Sequence, residues 1–228
     1  MSERLIGLLL EAFGETLTMV GISAVLGALA GVPLGVLLLI TGRGHIAERP
    51  LFNQIAGALV NALRSTPFII LMVAIIPLTR LIVGTSIGTA AAAVPLTLAA
   101  IPFIARLAEA SLREVDPGLI EAAQAMGATP RQIVVKILLP EALPGIVAGL
   151  TITIVSLIGY SAMAGAVGGG GLGDLGIRYG YQRFEGEVMA AVVVVLIALV
   201  ALVQSGGDRL ARSLNKRLIG RRHGASPG

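Results

Sequence analysis

One polar segment, residues 106–141, separates long apolar stretches and contains the side chains best placed to do chemistry. General acid–base catalysis would need paired carboxylates or a carboxylate supported by histidine. The acids of this segment have no such company and are explained by helix caps and solvation: Glu109, Glu114, Asp116 and Glu121. We therefore predict no catalytic residue here, and we interpret the segment as a surface that binds another protein.

Phosphate binding is the second chemistry to consider, because glycines occupy positions 168–171 and 173. A nucleotide-binding P-loop needs Gly-x-x-x-x-Gly-Lys-Ser/Thr, in which the lysine and the hydroxyl hold phosphate and Mg²⁺. The run lacks both, and neither Lys136 nor Lys216 has a glycine-rich context. We expect no ATP or metal cofactor in this chain, and we expect the glycines to let the backbone bend and helices approach closely.

Composition places the chain in a bilayer. Its 228 residues are 55% hydrophobic and 13% charged, with a mean hydropathy of +0.90, which is too apolar for an ordinary soluble domain. Spans of about 20 residues cross the hydrocarbon core. We predict an all-α integral membrane protein, a single domain over residues 1–228 with five transmembrane helices, at about 17–40, 57–79, 86–105, 145–167 and 187–206.

The positive charges predict the orientation, because cytoplasmic segments retain Lys and Arg. An N-terminus outside and a C-terminus in the cytoplasm place 13 of the 17 basic residues inside. This distribution explains the pI of about 10.1 without nucleic acid. A DNA-reading helix-turn-helix would need a basic recognition helix, and Arg131 and Lys136 are too few.

The polar segment is predicted to form two short helices. Asp116-Pro117 reads as an N-cap followed by proline at the first helical position, and Gly127 stops the first helix after about Met126. Thr129-Pro130 repeats the same start signal and opens a second helix with prolines near its end. This cytoplasmic helix-turn-helix insert covers about residues 107–143.

A seven-position pattern runs through the insert: Glu121-Ala122-Ala123, then Gly127, Ile137 and Leu139-Pro140. It resembles the EAA loop of ABC importer permeases. Further stretches resemble the permeases of methionine ABC importers in particular, at residues 64–71, 102–106 and 159–163. The resemblance covers about residues 15–208.

What the resemblance implies is a type I ABC importer permease fold and a transport subunit that is not itself an enzyme. It implies a homodimer in the bacterial inner membrane, two cytoplasmic ABC ATPase subunits that bind ATP and Mg²⁺, and an extracytoplasmic methionine-binding protein. The substrate would be D- and L-methionine. The implied ATPase-coupling residues are the seven of the pattern together with Met126.

The fourth span predicts a candidate gate. Met163 and, one turn earlier, Tyr160 would narrow the passage near the dimer axis, since a thioether side chain is flexible enough to close an apolar constriction. Ordinary core packing is the alternative for Met163.

Three further predictions concern structure and alternatives. Gly27, Gly31 and Gly35 repeat at four-residue spacing and should permit close helix packing. His45 and His223 lie in separate charged segments, so we predict surface positions and no metal site. Alternatives to methionine import are a permease for another small amino acid or related solute and, from a different class, an ATP-independent channel.

Overall fold

A computed structural model describes residues 3–215, apart from the side chain of Arg4. Its order of elements is α1 (Glu3–Ile40), α2 (Pro50–Ser65), α3 (Phe68–Ala74), α4 (Ile76–Val83), α5 (Thr89–Arg113), α6 (Pro117–Ala125), α7 (Pro130–Ile133), a π-helical turn (Val134–Leu138), α8 (Leu139–Gly165), α9 (Gly171–Leu175), a second π-helical segment (Gly176–Tyr181) and α10 (Gly186–Leu214). His223 and four of the basic residues counted as cytoplasmic lie outside the described residues: Lys216, Arg217, Arg221 and Arg222.

Four stretches in the described part of the chain are long and apolar enough to cross a membrane. They are Leu5–Ile40, Thr89–Arg113, Pro130–Gly165 and Gly186–Leu214. A fifth span exists if Pro50–Ser65 and Phe68–Ala74, which meet at a bend of 104°, count as one. The all-helical fold with up to five spans agrees with the sequence prediction.

The second span, predicted over 57–79, is not one continuous helix. The chain leaves α2 at Thr66, whose ψ of 124° is extended, because Pro67 disfavours a helical conformation in the residue before it. Pro77 then lies in the first turn of α4, where its missing N–H costs nothing. The span is therefore a series of three short helices.

Helix α1 begins at Glu3, well before the predicted start at 17, and packs along α5 through glycines. A Cβ on Gly31 would lie 2.8 Å from the carbonyl oxygen of Ile101, and one on Gly35 would lie 2.5 Å from that of Ala105. Only glycine permits this approach of the two backbones. The predicted packing role of the glycine repeat is confirmed.

Two of the core clusters lie beside the candidate sites. One lies in the middle of the spans around Met19, Leu96 and Leu157, and the other lies towards the polar insert around Leu112, Ile133 and Leu138. Among the four continuous spans, helix α10 buries the smallest share of its apolar stretch.

Candidate coupling and translocation sites

The turn between α6 and α7 forms as its capping signals predict. The Asp116 side chain accepts a hydrogen bond from the Gly118 N–H at 2.8 Å, and Gly127 takes a left-handed conformation with φ of +77°. Thr129 and Gln132 then form a capping box, in which the Thr129 N–H donates to the Gln132 side chain at 2.8 Å. We call α6, this turn and α7 the coupling hairpin.

The second helix of the insert does not end near its prolines, as the sequence suggested. Helix α7, the first π-helical turn and α8 form one continuous stretch, Pro130–Gly165. In the π-helical turn the Leu139 N–H donates to the Val134 carbonyl, five residues back. This wider turn accommodates Pro140, which lacks an N–H and would clash with a carbonyl of a regular helix. The coupling hairpin is thus directly continuous with the fourth span.

The pattern residues divide between two faces of the insert. Ala123 is 2% exposed, Ile137 and Leu139 are partly buried, and the others are exposed: Glu121, Ala122, Met126, Gly127 and Pro140. The sequence pattern did not reveal this division, because it depends on which neighbouring helices cover the hairpin.

The inner face of the coupling hairpin is held by the core cluster nearest to it. Ala123 and Ile133 pack there with side chains from three of the long helices: Val36 and Leu39 of α1, Ala108 and Leu112 of α5, and Ala142 and Ile146 of α8. A well-packed apolar core transmits displacement rather than absorbing it. A force on the hairpin therefore acts on α1, α5 and α8 together.

The outer face of the coupling hairpin carries an unusually exposed apolar side chain. Met126 is 81% exposed and Leu119 is 43% exposed, and the Glu121 carboxylate lies on the same short helix. Methionine adapts its shape to a partner and is common at protein-binding surfaces. This face has the composition of a surface that another protein covers.

A buried carboxylate just before the hairpin was not recognised in the sequence, where Glu109 looked like a solvated acid. It is 6% exposed. Its two oxygens accept hydrogen bonds from Arg106 at 2.7 Å and from Arg113 at 2.6 Å. The i, i+3 and i+4 spacings of these three residues could have indicated the network, but not the burial of its centre.

The two predicted gate residues have different surroundings. Tyr160 is partly buried and stacks on Phe68 of α3, with ring centroids 4.8 Å apart and an angle of 6° between the rings. Met163 is 48% exposed on the surface of the protomer. The structure thus joins Tyr160 to the broken second span and leaves Met163 free to face another molecule.

The glycine run forms a tight reversal between α8 and α9. Gly168, Gly170 and Gly171 all have positive φ, and a Cβ on Gly169 would lie 2.8 Å from the Ala164 carbonyl oxygen. The Gly171 N–H donates to the Glu15 carboxylate at 2.6 Å. The predicted bending and close approach are confirmed, and the N–H at the start of α9 is occupied by a side chain of α1.

His45 has the surface position that we predicted, since its side chain is exposed. The four basic residues predicted to lie outside are Arg4, Arg80, Arg178 and Arg183. The last three are exposed, and the side chain of Arg4 is not described. Arg183 lies over the Tyr179 ring at 4.4 Å from its centroid.

The sequence is similar to a family of transport proteins and to permeases of known transport systems. Residues 31–220 match the model of the family described as binding-protein-dependent transport system inner membrane component. The chain is 58% identical over 210 residues to the probable D-methionine transport system permease protein MetI of Vibrio cholerae, covering 92% of this chain and 93% of that one. It is 53% identical over 217 residues to the D-methionine transport system permease protein MetI of Escherichia coli K12, covering 95% and 100% of the two chains.

Solved structures are similar as well. A crystal form titled as an inward-facing conformation of the MetNI methionine ABC transporter matches with a TM-score of 0.93 and 53% identity, over 94% of this chain and 100% of that chain. An amino acid ABC transporter solved with histidines matches with a TM-score of 0.75 and 18% identity, over 92% and 95% of the two chains. At that lower identity the likeness concerns the fold alone.

Proposed function

This chain belongs to the family of binding-protein-dependent transport system inner membrane components, and we propose that it is the permease subunit of an ABC importer that carries methionine into the cell. It spans the membrane several times. It forms the passage for the substrate, whereas a separate ATPase subunit binds ATP and Mg²⁺ and hydrolyses the nucleotide. The absence of a P-loop from the whole sequence supports this division.

The observation that carries the proposal is the identity of 53% to the D-methionine permease of Escherichia coli over the whole length of that relative. The alignment covers 217 residues, which is 95% of this chain. It supports methionine over another small amino acid, which is the alternative within the same class. Transport of both D- and L-methionine is part of the proposal.

The coupling hairpin is proposed to be the site where the ATPase acts. ATP binding draws two ATPase subunits together and moves the hairpins of two permease protomers with them. Because the inner face of each hairpin is packed on α1, α5 and α8, these helices tilt as a group. The cytoplasmic side then closes while the outer side opens, and hydrolysis reverses the tilt.

The further partners belong to the same proposal. Two copies of this chain form a homodimer, with Met163 of each copy near the axis, and an extracytoplasmic methionine-binding protein delivers the substrate. The half-exposed Met163 supports a face that another protomer covers. The N-terminus lies outside and the C-terminus inside, as the excess of basic residues in the predicted cytoplasmic segments supports.

Uptake of labelled methionine into proteoliposomes tests the proposal. The vesicles contain this chain and its ATPase subunit, with ATP inside and the methionine-binding protein outside. We expect uptake that requires all three components and ATP. If the binding protein stimulates ATP hydrolysis but methionine does not accumulate, the importer architecture stands and the substrate is wrong. Uptake without ATP would instead indicate a channel.

A further inference from the structure

Two arginines join α2 to α5 near the cytoplasmic end of the spans. Arg64 of α2 lies over the Phe103 ring of α5, 5.2 Å from its centroid, and Arg106 makes the hydrogen bonds. Arg106 of α5 donates a hydrogen bond from Nη2 to the Gly57 carbonyl oxygen at 3.1 Å and from the same nitrogen to the Asn61 Oδ1 at 3.0 Å. In the described part of the chain, both hydrogen bonds between α2 and α5 come from this arginine. The apolar contact beside it is small and is formed by Val60 and Ala105 together with residues of α1.

The same arginine is fixed from the other side. Its Nη1 donates to the buried Glu109 carboxylate at 2.7 Å, and Arg113 binds the second oxygen of that carboxylate. Within the described residues Arg106 Nε is buried without a hydrogen-bond partner. The guanidinium is held through its two terminal nitrogens, Nη1 and Nη2. A buried charge that loses its partner is costly, and Glu109 therefore restrains Arg106 in the orientation that reaches α2.

Helix α5 leads directly into the coupling hairpin. It ends at Arg113, and α6 begins at Pro117 after only three residues. Helix α2 leads in the other direction, through the 104° bend, to α3. There Phe68 stacks on Tyr160 of the proposed gate. Arg106 thus lies between the element on which the ATPase acts and the broken span that contacts the passage.

We propose that Arg106 is a positioning residue for coupling: it makes α2 and α3 follow the movement of α5, so that ATP binding at the hairpin reaches the broken second span. This inference rests on the proposed function. Glu109 and Asn61 assist, the first by orienting the guanidinium and the second by accepting its hydrogen bond. Lysine could not replace arginine here, because a single ammonium group cannot hold Glu109 and both α2 acceptors in a planar fork.

The test uses a reporter on α3 in the assembled complex. The chain has no cysteine, so Ile70→Cys, at a side chain that is 58% exposed, introduces the only thiol of this subunit. Its rate of reaction with a maleimide is measured in proteoliposomes with the ATPase subunit, before and after ATP is trapped with vanadate. Arg106→Gln and Arg106→Lys are compared with Arg113→Gln. The last change also removes one cationic partner of Glu109, but Arg113 makes no hydrogen bond to α2 in the described structure.

We expect ATP to change the labelling rate about fivefold or more in the parent and in Arg113→Gln, at the low end of usual coupling between linked sites. The change should disappear in both Arg106 variants while the ATPase subunit still copurifies. Asn61→Ala should reduce the change, and it should add nothing in an Arg106→Gln background. A retained change in the Arg106 variants, or no change in the parent, would overturn the inference.

This readout does not require methionine. A wrong substrate assignment would abolish uptake in the parent but leave the ATP-dependent labelling intact. Conversely, normal methionine uptake with ATP-dependent labelling that survives Arg106→Gln would leave the proposed function standing and remove the role of Arg106. If Arg106→Gln does not assemble, Asn61→Ala decides the question, because Asn61 is exposed and its loss leaves the Glu109 network complete.

Discussion

Ala123 and Met126 lie three residues apart at the end of one short helix, yet their side chains have opposite surroundings. Ala123 is 2% exposed and packs against the spans, whereas Met126 is 81% exposed. The alanine is enclosed by its neighbours, whereas most of the methionine side chain is left uncovered by the described residues. The first residue therefore holds the hairpin to the membrane helices, and the second is available to the proposed ATPase partner.

One polar substitution at each of these two positions separates the two roles. Met126→Gln should leave the thermal unfolding midpoint unchanged and reduce copurification of the ATPase subunit about tenfold, which corresponds to a loss of about 1.4 kcal/mol. Ala123→Gln should instead destabilise the chain by about 2–3 kcal/mol, because it places a large amide in a packed core. Thermal melts and affinity copurification in detergent measure both effects. Equal loss of stability in the two variants would argue against a docking role for Met126.

A prediction at the same scale concerns Met163. Met163→Ala should raise leakage of substrate or lower the amount transported per ATP hydrolysed, because the shortened side chain no longer closes an apolar constriction. Met163→Leu is the matched control, since it restores apolar volume and should behave like the parent. The ratio of methionine taken up to phosphate released, measured in proteoliposomes, distinguishes them. Unchanged flux and unchanged coupling in Met163→Ala would assign this residue to packing.

At the scale of elements, the sequence predicted what local signals determine. The caps at Asp116 and Thr129 and the stop at Gly127 depend on neighbours within a few residues, and they formed as expected. The break at Thr66 and Pro67 had its own local signal in the proline. The fusion of the second hairpin helix with α8 was missed, because a wider turn can accommodate a proline that usually ends a helix.

The rest of the candidate site depends on contacts between distant segments. Glu109 looked solvated because its burial comes from how the long helices pack. Glu109 is linked to α2 through Arg106, which hydrogen-bonds to Asn61, 45 residues away in the sequence. Likewise the stacking partner of Tyr160 is Phe68, the first residue of α3, which follows the 104° bend between α2 and α3. Periodicity within one helix contains no information about such pairs.

The contact between α1 and α5 gives a prediction for a whole element. Gly31→Ala should destabilise the chain by about 1–3 kcal/mol, because the new methyl group would lie 2.8 Å from both the Ile101 oxygen and the Ile104 Cβ. Gly21→Ala, in the same helix, meets nothing within 4 Å. It should be neutral or stabilising by up to about 1 kcal/mol. The two melting midpoints in detergent make the comparison, and similar shifts would mean that α1 and α5 do not pack as described.

At the scale of the whole molecule, the coupling hairpin and the glycine run lie at opposite ends of one helical stretch. Pro130–Gly165 contains 36 residues and is about 54 Å long at 1.5 Å per residue, which exceeds the roughly 30 Å of a hydrocarbon core. The stretch is therefore long enough to place the coupling hairpin and the glycine run on opposite sides of the membrane. Only the direction remains to be measured, and the excess of arginine and lysine on the hairpin side predicts that this side is cytoplasmic.

Two cysteine variants measure that direction in a chain that has no native thiol. Phe184 is 89% exposed beyond the glycine run, and Gln124 is exposed on the hairpin. In intact spheroplasts a membrane-impermeant maleimide should label Phe184→Cys and leave Gln124→Cys unmodified. Permeabilising the membrane should make both react, which controls for access to Gln124. The opposite pattern would reverse the orientation, and the hairpin could not then meet an ATPase in the cytoplasm. Because α8 joins the two regions directly, labelling of both sites in intact spheroplasts would contradict the span itself.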